Sequence, residues 1–292
     1  MKDDHVIFGG HLVAFLDLLG QSEELEKFNT IEWWKQSEEV LHLIKESYGK
    51  VLHLRKDFAE CIDDLAKPST EEELGRKIPP HFTETWDEVN SNKIIYKYIS
   101  DSIIISVPLK INKGILPLRS IMNVLCCCAF NMLSTQMRGI FYRGGIEIGP
   151  CLYDSQLSEL YGSALSKASK YEKEADYPRI IVGKILINYL DSCIKSADPA
   201  LHSVNSILAQ NCLSVISEDM DGQYIIDYLG EGLRKLVIAE DTTFFIKSGV
   251  ESIEANIKLH KDDAEKRSKY ERLKEYYKSK VDVWGAEIIN FQ

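Results

Sequence analysis

The sequence predicts an α+β fold with a ferredoxin-like βαββαβ core, followed by a C-terminal helical extension. Three observations predict it. Apolar runs of strand character alternate with long stretches of helical periodicity, the first six elements follow the order of a split βαβ motif, and the C-terminal region is densely charged with tyrosines and leucines at helical spacing. With 292 residues, 45% of them hydrophobic, the chain is long enough to bury a sizeable core.

The core elements set the expected sheet topology. In chain order they are a strand over 11–19, a helix over about 31–63, strands over 93–99 and 102–108, a helix over 115–137 and a strand over 140–149. A split βαβ arrangement places the first and third strands side by side and antiparallel at the sheet centre. Segment 64–92, with Pro79-Pro80 and several glutamates, is expected to be a peripheral insertion without chemistry.

The remaining elements complete one domain over 1–235 and an extension over 236–292. They are a short strand over 157–161, a helix over 163–175, a strand over 179–183, a helix over 184–195, and a hairpin from 213–217 to 223–229 with Asp219-Met220-Asp221-Gly222 at its turn. Residues 247–280 are predicted as one long amphipathic helix. We expect it to pack on its own domain or on a dimer, with a partner-binding helix as the alternative.

Composition limits the function classes. The net charge of -10 and the pI near 5.3 argue against a nucleic-acid coat or a membrane-surface protein, because both need a basic face. No apolar run approaches about 18 residues, and the opening Met1-Lys2-Asp3-Asp4-His5 is too polar to begin a secretory signal. We therefore expect a cytoplasmic protein.

Cysteine and histidine offer little chemistry. The only cysteine cluster, Cys126-Cys127-Cys128, lies in an apolar helical run, where adjacent side chains point about 100° apart and cannot easily share a metal. Core packing is the preferred interpretation. The seven histidines form no ligand pair at helical or zinc-finger spacing, so zinc chemistry and histidine-based nucleophilic catalysis lack support.

Two aspartates, Asp17 and Asp101, stand inside apolar strand-like runs. A carboxylate is costly there unless a cation or several donors compensate it. The predicted topology brings the two together, and paired carboxylates suit Mg²⁺ or Mn²⁺ with positions left for phosphate. The carbonyl of Leu18 is a natural extra ligand, and the turn Leu19-Gly20-Gln21-Ser22 offers amides to a triphosphate. Alone, Asp17 could cap a turn and Asp101 could end a hairpin.

Several motifs carry a resemblance that covers most of residues 11–280. The main ones are Ala14-Phe15-Leu16-Asp17-Leu18-Leu19-Gly20, Ile99-Ser100-Asp101-Ser102-Ile103-Ile104-Ile105-Ser106, Arg143-Gly144-Gly145-Ile146-Glu147-Ile148-Gly149, and Tyr161-Gly162-Ser163-Ala164-Leu165 running through Ala168 and Glu172 to Tyr177-Pro178-Arg179-Ile180. Weaker ones are Asp221-Gly222 with Asp227-Tyr228, and Lys269-Tyr270-Glu271 with Tyr276-Tyr277. Their order and spacing resemble the class III nucleotidyl cyclases, and within them the bacterial pyrimidine cyclases of the Pycsar antiphage systems.

The resemblance implies the class III catalytic domain and a two-metal cyclisation of a pyrimidine nucleoside triphosphate. Asp17 and Asp101 would hold two Mn²⁺ or Mg²⁺ ions per site, and the product would be cyclic UMP, slightly ahead of cyclic CMP, with pyrophosphate. Such an enzyme is a phosphorus-oxygen lyase that makes a second messenger for a cyclic-nucleotide-sensing effector. No side-chain nucleophile is needed, which agrees with the absence of a catalytic triad pattern.

The resemblance also implies a homodimer with composite active sites. In the family, the helix after the position of Gly162 supplies an asparagine and an arginine to the partner's nucleotide, and the matching positions here are Ser166 and Lys170. Lysine keeps a cation but lacks the arginine fork. Arg143 and Arg179 are the alternative cations, each with a strand-edge salt bridge as its structural interpretation.

Two other functions stay open. A catalytically silent cyclase-fold module would bind nucleotide or a partner, and the departures at Ser166 and Lys170 favour it, while Asp17 and Asp101 argue against it. A polymerase-like palm is disfavoured because the chain is acidic and lacks a basic template channel.

Overall fold

A mixed β-sheet with helices on both faces forms the framework. The computed structural model describes residues 5–35, 37–67, 87, 94–110, 116–195, 202–237 and 242–285. Its strands are β1 Val6–Leu18, β2 Ile95–Ile99, β3 Ser102–Pro108, β4 Tyr142–Asp154, β5 Glu159–Gly162, β6 Ile180–Val182, β7 Ile216–Glu218 and β8 Tyr224–Ile226. Its α-helices are α1 Gln21–Glu26, α2 Glu38–Ala66, α3 Leu118–Gln136, α4 Ser163–Glu174, α5 Lys184–Lys195, α6 His202–Ser214, α7 Glu231–Arg234, α8 Thr243–Leu259 and α9 Ala264–Lys278.

The strand order places β1 at the centre of the first half of the sheet. The order is β2-β3-β1-β4-β6-β8-β7, and β5 pairs with β4 outside this path. β1 is antiparallel to both β3 and β4, whereas β4 and β6 are parallel. The predicted pairing of the first and third strands is therefore confirmed. Asp17 is the register partner of Ser102 on β3 and of Arg143 on β4.

The two faces of the sheet pack against different helices because successive strand residues point to opposite sides. Leu12, Ala14, Leu16 and Leu18 join the large core that contains buried residues of α2 and α3. On the opposite face, Val13 packs with Ala164 and Ala168 of α4. By this alternation Asp17 shares the face that α4 covers.

The cysteine cluster belongs to the large core, as predicted. Cys126, Cys127 and Cys128 on α3 are all buried, and burial raises the pKa of Cys126 to about 12. Among the described residues, α3 is also the one helix long and apolar enough to cross a membrane by length and composition, yet 78% of that apolar window is buried inside the protein. The helix therefore has the burial of a core helix.

The C-terminal region differs from the prediction of a single helix over 247–280. Two helices, α8 and α9, pack against each other there, with Lys274 Nζ 3.0 Å from a carboxylate oxygen of Glu254. The break has a local cause, because the side chain of Asp263 accepts a hydrogen bond from the backbone N–H of Lys266 and starts a new helix. Trp284, beyond α9, donates its indole N–H to the carbonyl of Leu229.

Smaller differences concern element ends and one missed helix. β4 continues to Asp154 instead of ending at 149, and α2 begins at Glu38, after short 3₁₀ turns. The unpredicted α6 occupies 202–214, where its apolar residues show little helical periodicity. Of the expected insertion over 64–92, α2 reaches Ala66, while residues 68–86 and 88–92 lie outside the described residues.

Candidate functional site

Asp17 lies at the end of β1 as a half-buried carboxylate with limited compensation. The hydroxyl of Ser102 donates to its Oδ1 at 2.7 Å. Burial raises the pKa of Asp17, the Ser102 hydrogen bond opposes this, the nearby Asp101 raises it further, and Arg143 lowers it. Within the described part of the chain, Asp17 has no ion pair closer than 4.0 Å. A carboxylate in this state gains free energy from a bound cation.

Asp101 lies in the tight turn between β2 and β3 and not within a strand. Ile99 and Ser102 are register partners, so Ser100 and Asp101 form a two-residue turn. Ser100 has a φ of 53°, a conformation that costs a non-glycine residue about 1–2 kcal/mol. The guanidinium of Arg55 on α2 donates to the Ser100 carbonyl and holds this turn. The result is a fixed turn that places Asp101 beside Asp17.

Arg143 faces Asp17 across the strand pair but binds a different carboxylate. Its Nε donates to Oε1 of Glu172 on α4 at 2.6 Å. Glu172 is buried, and burial raises its pKa while Arg143 opposes the shift and Asp17 adds to it. Arg143 is therefore held by Glu172 beside Asp17 of the same chain.

Helix α4 packs closely on strand β4, so that Glu172 reaches Arg143, because the strand has Gly145 where the helix crosses it. A Cβ at Gly145 would lie 2.2 Å from the carbonyl oxygen of Ala168 and 2.5 Å from Cβ of Tyr171. The glycine thus serves close packing of a helix on the strand. Glu172 follows the same buried row as Ala164 and Ala168. That i, i+4, i+8 spacing was the signal available in the sequence for its burial.

Ser166 and Lys170 lie on the exposed side of α4, opposite its buried row. The Lys170 ammonium is 3.5 Å from a carboxylate oxygen of Glu174, and its side chain is 73% exposed. The fold therefore directs both residues away from the sheet face on which Asp17 of the same chain lies.

The turn after β1 uses its residues in unequal ways. The backbone N–H of Leu19 donates to the carbonyl of Phe141 at 2.9 Å, and Leu18 buries its side chain in the core. Gly20 has a φ of 84°, which favours glycine, and α1 begins directly after it. The buried Gln21 accepts a hydrogen bond from Ser47 of α2 through its side-chain oxygen. Its side chain thus contacts α2, beside a cleft of about 240 Å³ that Asp101 also lines.

Arg179 is held far more tightly than Arg143. Its guanidinium is buried and ion-pairs with Asp219 and with Asp221, the latter at 2.6 Å. It also lies over the ring of Tyr177. Arg179 therefore forms structural salt bridges, the alternative to a catalytic use that the sequence allowed. These salt bridges hold its charge at the β7–β8 turn.

Comparison with known proteins adds no assignment: no family model matches the sequence, and no curated protein or solved structure matches it. Within the described ranges, no group of three or more His, Cys, Asp or Glu side chains is arranged to hold a metal ion. The fold and the site therefore define an α+β protein with two neighbouring aspartates that this chain compensates only in part.

Proposed function

We propose that this protein is a metal-dependent nucleotidyl cyclase that converts a pyrimidine nucleoside triphosphate into its 3′,5′-cyclic monophosphate and pyrophosphate. The observation that carries the proposal is the β1–β3 pairing, which places half-buried Asp17 beside Asp101 at one end of two central strands. Among the described residues, the Asp17 carboxylate accepts one side-chain hydrogen bond, from Ser102, and burial raises its pKa.

The architecture supports the cyclase-like core. The order β2-β3-β1-β4, with α2 and α3 in the core on one sheet face, is the order of a ferredoxin-like split βαβ unit. In such a unit the ends of β1 and β3 share one edge, where both aspartates lie.

Asp17 and Asp101 fit a pair of divalent ions, since hard cations take carboxylate oxygens. Bound Mn²⁺ or Mg²⁺ would neutralise the triphosphate and make the ribose 3′-hydroxyl more nucleophilic. In the reaction, the 3′-oxygen bonds to the α-phosphorus, the bond from that phosphorus to the bridging oxygen breaks, pyrophosphate leaves and the hydroxyl proton passes to solvent. Ser102 fixes the orientation of the Asp17 carboxylate, and Leu18, Leu19, Gly20 and Gln21 form the turn nearest the phosphates.

A homodimer would complete the site. Ser166 and Lys170 face away from their own sheet, so a two-fold partner could place them over Asp17 of the other chain. Lys170 would then stabilise the charge that develops on the leaving phosphates, with Ser166 as a nucleotide contact. Arg143, already beside Asp17, is the second cation.

The base and the biological setting follow from the resemblance alone. We propose UTP as the substrate in preference to CTP. The cyclic product would act in the cytoplasm on a sensing effector in antiphage defence. The second candidate is a catalytically silent nucleotide- or partner-binding module. The observation that favours it is that, among the described residues, no group of three or more His, Cys, Asp or Glu side chains is arranged to hold a metal ion.

The test is a Mn²⁺-dependent assay with each of the four nucleoside triphosphates, with products separated by liquid chromatography. We expect cyclic UMP or cyclic CMP with an equal amount of pyrophosphate, and none when EDTA removes the metal. If the protein binds triphosphate but forms no cyclic product, the cyclase proposal is wrong and the silent binding module is favoured.

A further inference from the structure

Glu172 is a buried carboxylate for which the two-metal chemistry has no assigned use. It is 3% exposed and lies on α4 above the strand that carries Arg143. A buried ionisable group is costly unless a partner compensates its charge, and among the described residues one contact does so for Glu172. That contact is the 2.6 Å hydrogen bond from Arg143 Nε.

The position of Arg143 makes a different partner available. Asp17 and Arg143 are register partners on adjacent antiparallel strands, and such side chains lie within about 5 Å of each other at Cβ. An arginine in that position would ordinarily pair with the aspartate. Within the described ranges, however, Glu172 is the one carboxylate within 4.0 Å of Arg143.

We propose that Glu172 is a positioning residue: it binds the guanidinium of Arg143, keeps that cation from pairing with Asp17, and so leaves the Asp17 carboxylate open to a divalent ion. The inference rests on the proposed function in taking Asp17 as a metal ligand. Arg143 remains near enough for its charge to act on Asp17, since it lowers the pKa of that carboxyl against the effect of burial. Glu172 and Asp17 are thus alternative partners for Arg143. The close packing of α4 at Gly145 brings Glu172 into contact with the guanidinium.

The experiment measures Mn²⁺ affinity without nucleotide, by following free Mn²⁺ in electron paramagnetic resonance titrations. The wild type binds Mn²⁺ and Asp17→Asn does not. Glu172→Gln releases Arg143 to Asp17 and should weaken Mn²⁺ binding about tenfold, because a close opposite charge shifts carboxylate equilibria by at least that factor. Glu159→Gln removes one exposed carboxylate on β5 and is the matched control, with unchanged affinity.

The decisive variant is the double change Glu172→Gln with Arg143→Met. If Glu172 acts by holding Arg143, removing the arginine restores Mn²⁺ affinity to the wild-type level, so the two changes are strongly non-additive. A purely structural Glu172 predicts instead that the double variant binds as weakly as Glu172→Gln or more weakly. Glu172→Asp is the second variant, for use if Glu172→Gln does not fold. It keeps the buried carboxylate but shortens the side chain, and it should also weaken Mn²⁺ binding.

The outcomes separate this inference from the proposed reaction. If no triphosphate is cyclised while the Mn²⁺ cycle behaves as described, the reaction is wrong and the positioning role stands. If cyclic product forms but both Glu172 variants bind Mn²⁺ like the wild type, the positioning role is overturned and the reaction stands. A wild type that binds no Mn²⁺ overturns the positioning role as well.

Discussion

Two pairs of aspartates lie at turns of the sheet, and they differ in how this chain compensates their charge. Asp219 and Asp221, at the β7–β8 turn, share the buried guanidinium of Arg179. Asp17, at the end of β1 and beside Asp101, has Arg143 as its register partner, but Glu172 binds that arginine. Hydrogen bonding to Arg179 lowers the pKa of Asp221, while burial raises the pKa of Asp17.

This difference indicates which acidic pair needs a bound cation to compensate its charge. The β7–β8 pair is complete, because backbone amides of Met220 and Gln223 also donate to its carboxylates. Its two carboxylates share one buried guanidinium, and Arg272 of α9 lies 3.8 Å from Asp221. Among the described residues neither Asp17 nor Asp101 forms an ion pair within 4.0 Å, and both lie at one end of the paired strands β1 and β3, an arrangement that a cation with a phosphate ligand stabilises.

The largest expected effect separates the two pairs by activity. Asp17→Ala should abolish Mn²⁺-dependent turnover, a loss of more than about a hundredfold, because losing even a group that only orients a metal ligand costs about 10–100-fold. Thermal stability of the metal-free protein should stay level or rise, since repulsion with Asp101 is relieved. The measurements are product formation and calorimetric melting, with exposed Asp262→Ala as the matched control. Near-normal turnover in Asp17→Ala would remove Asp17 from the metal site.

The second prediction tests whether the open pair receives a cation from a partner. Mixing inactive Asp17→Ala subunits with inactive Lys170→Ala subunits should restore up to about a quarter of wild-type activity, because half of the dimers are mixed and each has one intact site. Activity is measured after subunit exchange has been shown by mass spectrometry. No recovery would exclude Lys170 as the residue supplied in trans, and a monomer active at all concentrations would exclude the shared site.

The third prediction addresses the closed pair, where stability and not activity should respond. Arg179→Met removes the buried cation that Asp219 and Asp221 share and should cost about 3–5 kcal/mol of unfolding free energy. Turnover per folded molecule should be unchanged. Arg272→Met is the matched control: this partly exposed arginine lies 2.7 Å from Asp176 and 3.8 Å from Asp221, and its loss should cost under about 1 kcal/mol. Urea unfolding measures both, and equal costs would mean that burial at Arg179 contributes nothing.

Sequence reasoning reached the fold framework and the aspartate pair because both depend on local patterns. The continuous apolar runs of β1 and β3, together with the element order, predict their pairing and thus the proximity of Asp17 and Asp101. It missed α6, whose periodicity is weak, and it joined α8 to α9, because the charge pattern continues through the capping residue Asp263.

The partner of Arg143 could not be predicted in the same way. The Arg143–Glu172 contact joins residues 29 apart in the chain, and it depends on where α4 crosses β4 at Gly145. The sequence allowed both a salt bridge and a catalytic use for Arg143. Only the helix crossing shows which carboxylate the arginine binds.

The smallest expected effect is a pair of opposite pH dependences. The folded pKa of Asp17 is raised above its ordinary value of 3.8, so its contribution to stability is present below that value and is lost as the pH rises through the folded pKa. The folded pKa of Asp221 is lowered, so its contribution is present above 3.8 and is lost as the pH falls through the folded pKa. Relative to the wild type, metal-free Asp17→Asn should therefore gain stability as the pH increases. Asp221→Asn should lose stability over the same increase, and the two variants carry the same isosteric change. Urea unfolding in EDTA from about pH 3 to about pH 7 measures both differences. Slopes of the same sign would show that the two acidic pairs are compensated alike, and the contrast between an open and a closed pair would then be wrong.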